Sequence, residues 1–336
     1  MGKAKSPRSF NTIRHSQTKQ RAKRRELQRI VLLLMLAAVA LILVSLLALG
    51  ACSIFSAIAS ATPEQTTDGG DPSTPPPADS GEIQYTQSTN QTSKIYEGAL
   101  IMVNADHEYR FPTVNLLNVD DNKAKVNGAN VYQVPYPNYK LEANALAALN
   151  AMMLKYYDIS NGDGSIRIPS AHRTYDEQNT GQYATPAGFS EHHTGYCFTL
   201  RLSNPMGGYL EADHWIYENC HKYGLVARYP ADKVDITGVS AYAYCFRYVG
   251  VAHATYMKEH NLCLEEYLGL LKSSYSSGTN LKINAADGNA YEVYYAPASM
   301  ADDLTQFRVP VNFNYTVSGD NDSGFIITVN LSEKKE

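Results

Sequence analysis

Between Ile30 and Ala61 the chain carries no charged residue, and from Ile30 to Ala51 it is almost wholly Leu, Ile, Val, Met and Ala. A helix needs about 20 such residues to cross a bilayer, so this run predicts a transmembrane helix over 30–52 and removes those residues from any water-soluble core. Residues 1–29 hold ten Lys and Arg against one acid, Glu26, although the whole chain has a net charge of −4. A basic tail before the span and an acidic body after it place the N-terminus in the cytoplasm and the C-terminal body outside the membrane. The span also accounts for the tail's charge, so no nucleic-acid partner is expected. Leu49-Gly50-Ala51-Cys52 has the look of a lipoprotein cleavage site. The apolar run continues through Ile54, Phe55 and Ile58, however, and the basic region is long for a signal peptide, which favours an uncleaved anchor over a lipid on Cys52.

After the span, residues 53–94 bring Pro63, Pro72, Pro75, Pro76 and Pro77 among Thr, Ser, Gln, Asp and Gly. Such a stretch buries too little apolar surface to offset its ordering entropy and predicts a flexible tether. A folded core is expected over 95–272. Within it, Leu141 to Tyr157 has helical spacing, Ser165 to Ser170 alternates as a strand, and Asp213 to Tyr223 reads as a helix carrying Trp215 and stopped by Gly224. Residues 273–336 change character. Leu281–Ile283 with Tyr291–Tyr295, and Val309–Val317 with Phe325–Leu331, read as two hairpins of a β-rich extension.

The chemistry sits in two segments, Ser190-Glu191-His192-His193-Thr194-Gly195 and Arg247-Tyr248-Val249-Gly250. Upstream stand Arg173-Thr174-Tyr175 and Gln178; between them lie Trp215, Lys222-Tyr223-Gly224-Leu225 and Arg228-Tyr229-Pro230. In this order the motifs resemble the VanY-type D-alanyl-D-alanine carboxypeptidase family, over about 97–272. The resemblance implies an α+β fold of the D-alanyl-D-alanine carboxypeptidase and Hedgehog-like type. That is an antiparallel sheet with flanking helices, here followed by the β extension and preceded by the membrane helix. It also implies a zinc ion held by a His and an Asp from the first motif and a His from the last, with a Glu three residues before that His as general base.

Carried over residue by residue, the first ligand is His192, the Asp position is Thr199, the second His position is Cys245, and the general-base position is Tyr242. There is no Asp or Glu between His193 and Leu210, so no shift of register restores the carboxylate. Catalytic zinc takes about three protein ligands and keeps one position open; a neutral Thr hydroxyl is a poor substitute for carboxylate, whereas a Cys thiolate binds zinc well. Phenols ordinarily titrate near pH 10 and hold their proton at neutral pH, which makes them poor general bases. Positioned acid–base groups supply about 10²- to 10⁴-fold in rate, so loss of metal and base together leaves little hydrolysis. No cofactor is therefore expected, with zinc as the exception if an atypical site on His192 and Cys245 binds it.

What the resemblance retains is the substrate side: Arg173, Gln178 and Ser190. A guanidinium grips a carboxylate through two hydrogen bonds without any metal, although Arg173 has an equally simple reading as a structural ion-pair residue. His193 is expected at the surface, facing away from His192, and His214, His221, His253 and His260 show no metal-ligand spacing. Four cysteines follow the membrane run: Cys197, Cys220, Cys245 and Cys263. Cys197 shares a strand face with Thr199, so a Cys197–Cys245 disulfide in place of the metal is one expectation. Three functions follow: a noncatalytic binder of peptidoglycan stem peptide or a wall protein, an active zinc carboxypeptidase with an atypical site, or an assembly protein with a vestigial groove.

Overall fold

The computed structural model describes residues 83–181, 183–201 and 211–335, all within one compact unit, Asp79–Glu336. The basic tail, the expected membrane helix and most of the tether lie outside the described residues. Among the described residues no helix is long and apolar enough to cross a membrane.

The tether ends earlier than its composition predicts, because Tyr85–Gln91 forms strand β1. Along the chain follow β2 (Leu116–Asn118), helix α1 (Val119–Asn122), β3 (Lys125–Val126), β4 (Ala129–Asn130) and β5 (Lys140–Glu142). Helix α2 (Ala143–Ile159) starts two residues later than its periodicity suggests, because the Glu142 carboxylate caps it by accepting from the backbone N–H groups of Asn144 and Ala145. Next come β6 (Arg167–Ser170), α3 (Tyr175–Thr180), the 3-10 turn Glu191–Thr194 and β7 (Cys197–Arg201). The predicted Trp215 helix is α4 (Glu211–Asn219), tightened into a 3-10 turn and ended by Gly224 at φ 75°. Strand β8 (Leu225–Tyr229), α5 (Val234–Thr237), β9 (Tyr242–Tyr248), α6 (Val251–Glu259) and α7 (Leu264–Ser274) complete the central part.

Strands β6, β7, β9 and β8 form, in that order, an antiparallel sheet. Side chains alternate between the faces of a strand, and this divides the sheet's two jobs. Phe198 and Leu200 of β7 and Phe246 of β9 pack with Leu146, Leu149, Met152 and Met153 of α2 in the main core. Cys197, Thr199, Cys245 and Arg247 are the alternate residues of the same strands and turn to the opposite face.

The C-terminal region contains β10 (Leu281–Asn284), β11 (Ala290–Pro297), β12 (Leu304–Pro310), β13 (Phe313–Gly319) and β14 (Gly324–Lys334). The stretch expected as one strand over Val309–Val317 is two. It breaks at Val311 and Asn312, and β12 pairs with β1 while β13 pairs with β14. The four-stranded sheet β10-β11-β14-β13 is buried on both faces. Val293, Tyr295 and Ile326 pack with Ala252 and Met257 of α6 and Leu268 of α7. Tyr294, Phe325 and Ile327 pack with Phe307 and Val309 of β12. The β region therefore shares a core with the helices that follow the second motif.

His253 of α6 pins that shared core. Its two ring nitrogens meet the Tyr267 hydroxyl at 2.7 Å and the Thr328 hydroxyl at 2.9 Å, joining α6, α7 and β14. Burial keeps the imidazole neutral, lowering its pKa from 6.5 to about 3. Between these values the unfolded chain binds the extra proton, so the stability from neutral His253 is complete above about pH 6.5 and declines as pH falls towards 3. Urea denaturation at pH 7 and pH 4.5 is expected to show a larger acid loss for the wild type than for His253→Gln; equal losses would reject this role.

Candidate functional site

Two backbone segments lock together to make the site. The Arg173 N–H donates to the His192 carbonyl at 3.1 Å, and the His193 Nδ1–H donates back to the Arg173 carbonyl at 2.8 Å. The Gly188 N–H donates to His193 Nε2 at 3.0 Å. His193 is thus fully engaged and buried, against the expectation of a surface residue: the motif folds as a 3-10 turn, so period-two reasoning does not apply to it. Ser190 caps this turn, its Oγ accepting from the His192 N–H at 3.4 Å.

His192 is held for donation from one nitrogen. Nδ1 lies 2.8 Å from the Ala171 carbonyl, which can only accept, so Nδ1 carries the hydrogen and Nε2 keeps a lone pair. Burial first, and the Arg173 charge second, lower its pKa to about 3. A ring nitrogen of His192 and the sulfurs of Cys197 and Cys245 lie within 4.8 Å of one another, and all three residues are buried. The two sulfurs are 3.0 Å apart and belong to free thiols, in place of the disulfide expected there. Burial, reinforced by the Cys245 thiol, raises the Cys197 pKa well above its ordinary value. Thr199 lies opposite Cys245 in the ladder, and its hydroxyl is buried without a hydrogen-bond partner among the described residues.

The sequence supplied one firm donor and one conditional donor; the structure brings Cys197 to them as a third. One imidazole and two sulfurs is a set that zinc accepts, and a zinc ion bound there would polarise a carbonyl or an incoming oxygen. Among the described residues no carboxylate joins the cluster. Tyr242, where the resemblance implies the general base, is 45% exposed at the strand's start. Tyr229 pairs with Tyr242 across β8 and β9, and burial followed by the Glu191 charge keeps its phenol protonated beside both thiols.

Glu191, one residue before His192, is committed elsewhere. One carboxylate oxygen takes the Arg228 Nε–H at 2.7 Å, and the other takes an Arg247 guanidinium N–H. Arg228 also forks onto Glu265 of α7 at 2.6 and 2.9 Å, and Arg247 donates to the carbonyls of Ala99 and Ile101. This network is almost wholly inaccessible to water. Arg247 thereby ties β9 to the His192 turn through Glu191.

Among the described residues, Arg173 is the cation beside His192 with capacity to spare. Its Nε donates to Gln178 Oε1 and one terminal nitrogen to Ser170 Oγ, both at 2.7 Å, and the Tyr183 ring stacks 3.9 Å from the guanidinium carbon. Among the described residues nothing takes the other terminal nitrogen. Gln178 is a brace, buried, with its amide N–H donated to the Thr185 carbonyl. Exposed rings of Phe111 and Tyr175 meet edge-to-face near His193. Tyr183 and Phe111 carried no motif signal, because their relation to Arg173 and His193 exists only in the folded chain.

The matches to known proteins follow the same segments. The family model for VanY, D-alanyl-D-alanine carboxypeptidase, matches residues 169–251. The chain is 31% identical over 259 residues to a D-alanyl-D-alanine carboxypeptidase of Enterococcus faecium, covering 74% of this chain and 81% of that protein. It is 30% identical over 124 residues to a bifunctional D-Ala-D-Ala dipeptidase and D-Ala-D-Ala carboxypeptidase of Enterococcus gallinarum, covering 30% of this chain and 65% of the relative. Its mixed α/β fold is similar to the crystal structure of the vancomycin-resistance D,D-dipeptidase VanXYg in complex with a D-Ala-D-Ala phosphinate analogue. The TM-score is 0.62 at 27% identity, covering 74% of this chain and 99% of that one. The likeness is thus longer than the 97–272 stretch marked by the motifs.

Removing one partner from a buried ion pair strands the other charge and costs about 3–5 kcal/mol, whereas an exposed pair contributes about 0–1 kcal/mol. Arg247→Met is therefore expected to lower the free energy of unfolding by about 3–5 kcal/mol. Breaking the exposed Lys258–Glu218 pair with Lys258→Ala is expected to cost about 0–1 kcal/mol. Similar denaturation midpoints for the two variants would show that charge does not hold the buried network.

Proposed function

The chain belongs to the VanY-type D-alanyl-D-alanine carboxypeptidase family, and from that membership we propose that it is a membrane-tethered, extracytoplasmic protein that binds the carboxyl terminus of a peptidoglycan stem peptide without cleaving it. The observation that carries this reading is Arg173. Braced by Gln178 and Ser170 and stacked on Tyr183, it keeps one guanidinium nitrogen for a ligand beside His192. A fixed guanidinium suits a terminal carboxylate, and the exposed rings of Phe111, Tyr175 and Tyr183 offer apolar surface to short side chains next to it. The name of the Enterococcus faecium relative and the ligand in the VanXYg structure support D-Ala-D-Ala as the chemistry recognised.

Absence of hydrolysis rests on the proton acceptor. The family's acid at the base position is Tyr242 here, and Glu191 is neutralised by two arginines. The membrane anchor rests on the uncharged run and its basic flank, which suit a tether that keeps the domain at the wall.

A second reading, an atypical zinc carboxypeptidase, is favoured by the cluster of His192, Cys197 and Cys245. Calorimetry of the full chain in detergent with a pentapeptide ending in D-Ala-D-Ala separates these readings. Saturable binding is expected, weakened about tenfold to a hundredfold by Arg173→Ala, the worth of a hydrogen bond to a charged group. Amidation of the peptide's terminal carboxylate should weaken binding similarly. Catalytic release of D-Ala by zinc-loaded protein would establish the second reading, and no binding at all would leave a scaffold role.

A further inference from the structure

The binding reading leaves Cys197, Cys245 and the free lone pair of His192 without a task. We propose that these three side chains form a site for a thiophilic divalent cation of the zinc class, in which Cys197 takes over from the carboxylate missing at Thr199. The inference stands apart from peptide binding, since neither Arg173 nor Ser190 takes part in it.

Positions 197 and 199 lie on one face of β7, one side-chain repeat apart. A donor moved from 199 to 197 therefore reaches the same space between β7 and β9. Cys245 opposes Thr199 in the ladder, which leaves its thiol diagonal to Cys197 and 3.0 Å from it. His192 enters from the adjoining turn with its tautomer already set by Ala171, the outer hydrogen bond that metal-bound imidazoles ordinarily make. The partnerless Thr199 hydroxyl is a further buried polar atom on that face.

Charge selects the ion. On binding, each thiol releases its proton to solvent and each sulfur donates an electron pair to the cation. Two thiolates cancel a dication while the imidazole stays neutral, so no net charge is buried. A site with two sulfurs and no carboxylate discriminates against magnesium and calcium, which require oxygen ligands. The bound ion would clamp β7, β9 and the Glu191–Thr194 turn at the point where Arg173 is anchored.

The test uses the full chain in detergent, stripped of metal by a chelator and kept reduced by a phosphine, then titrated with Co²⁺ alone. One Co²⁺ per chain is expected, with a near-ultraviolet sulfur-to-metal charge-transfer band that Zn²⁺ abolishes by displacement and Mg²⁺ does not. Cys197→Ser and Cys245→Ser should each lose that band and at least the ~10- to 100-fold in affinity that even an outer partner's removal costs. Cys220→Ser and Cys263→Ser should keep both. Uptake without the band, or a Cys197→Ser chain that binds like the wild type, overturns the proposal. So does a chain whose Cys197 and Cys245 become alkylatable only after reduction and which, once reduced, takes up no Co²⁺; that result would assign the pair to a disulfide. The wild-type titration decides the matter even if a variant fails to fold.

Discussion

Glu191 held between Arg228 and Arg247 is the contact on which the rest of the site depends. Taking a carboxylate and two guanidinium groups out of water is costly, and the cost is recovered only when the hydrogen bonds are nearly complete. Here they are. Both carboxylate oxygens are occupied, Arg228 turns one N–H of each terminal nitrogen to Glu265, and Arg247 spends donors on backbone carbonyls. The network joins the His192 turn to β8, β9, the start of α7 and the segment at Ala99–Ile101. It also commits the acid adjacent to His192 to structure, since both of its carboxylate oxygens accept from guanidinium groups.

Sheet alternation then sets what remains. The residues that anchor β7 and β9 to α2, Phe198, Leu200 and Phe246, fix by parity that Cys197, Thr199, Cys245 and Arg247 share the opposite face. A one-residue slip would exchange the two sets and bury Arg247 among the leucines of α2, so register and site geometry are enforced by the same packing. On that face a hydroxyl and a thiol, Thr199 and Cys245, stand at the positions where the resemblance implies a carboxylate and an imidazole. Both replacements are neutral when protonated and can be buried without a metal, which a carboxylate at 199 could not be without partners.

How much of this was legible depended on whether a residue acts through its neighbours in sequence. His192, Cys245 and Tyr242 were placed by motif spacing, and Cys197 by the period-two pattern. The helix around Leu146–Met153 followed from its apolar spacing, and its start was shifted only by the Glu142 cap. The buried state of His193 was hidden because its motif curls into a 3-10 turn whose partners, Gly188 and Arg173, come from the preceding loops. Gln178 read as a ligand contact and serves as a brace, because its carbonyl and amide are aimed by α3 at Arg173 and Thr185. Val309–Val317 read as one strand because alternation continues across Val311 and Asn312, although the chain turns there. β1 was hidden in a polar, tether-like composition, and its pairing with β12 spans most of the folded chain.

Binding and cleavage make different demands on the same cleft. Holding a peptide carboxylate requires a cation whose position is fixed before the ligand arrives, so that little ordering entropy remains to be lost. Arg173 has that character, with two donors anchored and its planar face against Tyr183. Cleavage requires in addition an acceptor for a proton and an unneutralised positive centre at the scissile carbonyl. Both oxygens of Glu191 are taken by guanidinium groups, and a cation held by two thiolates would be a weaker Lewis acid than one held by neutral ligands. In this arrangement Glu191 serves the fold, and Arg173, anchored but not saturated, is left to serve a ligand.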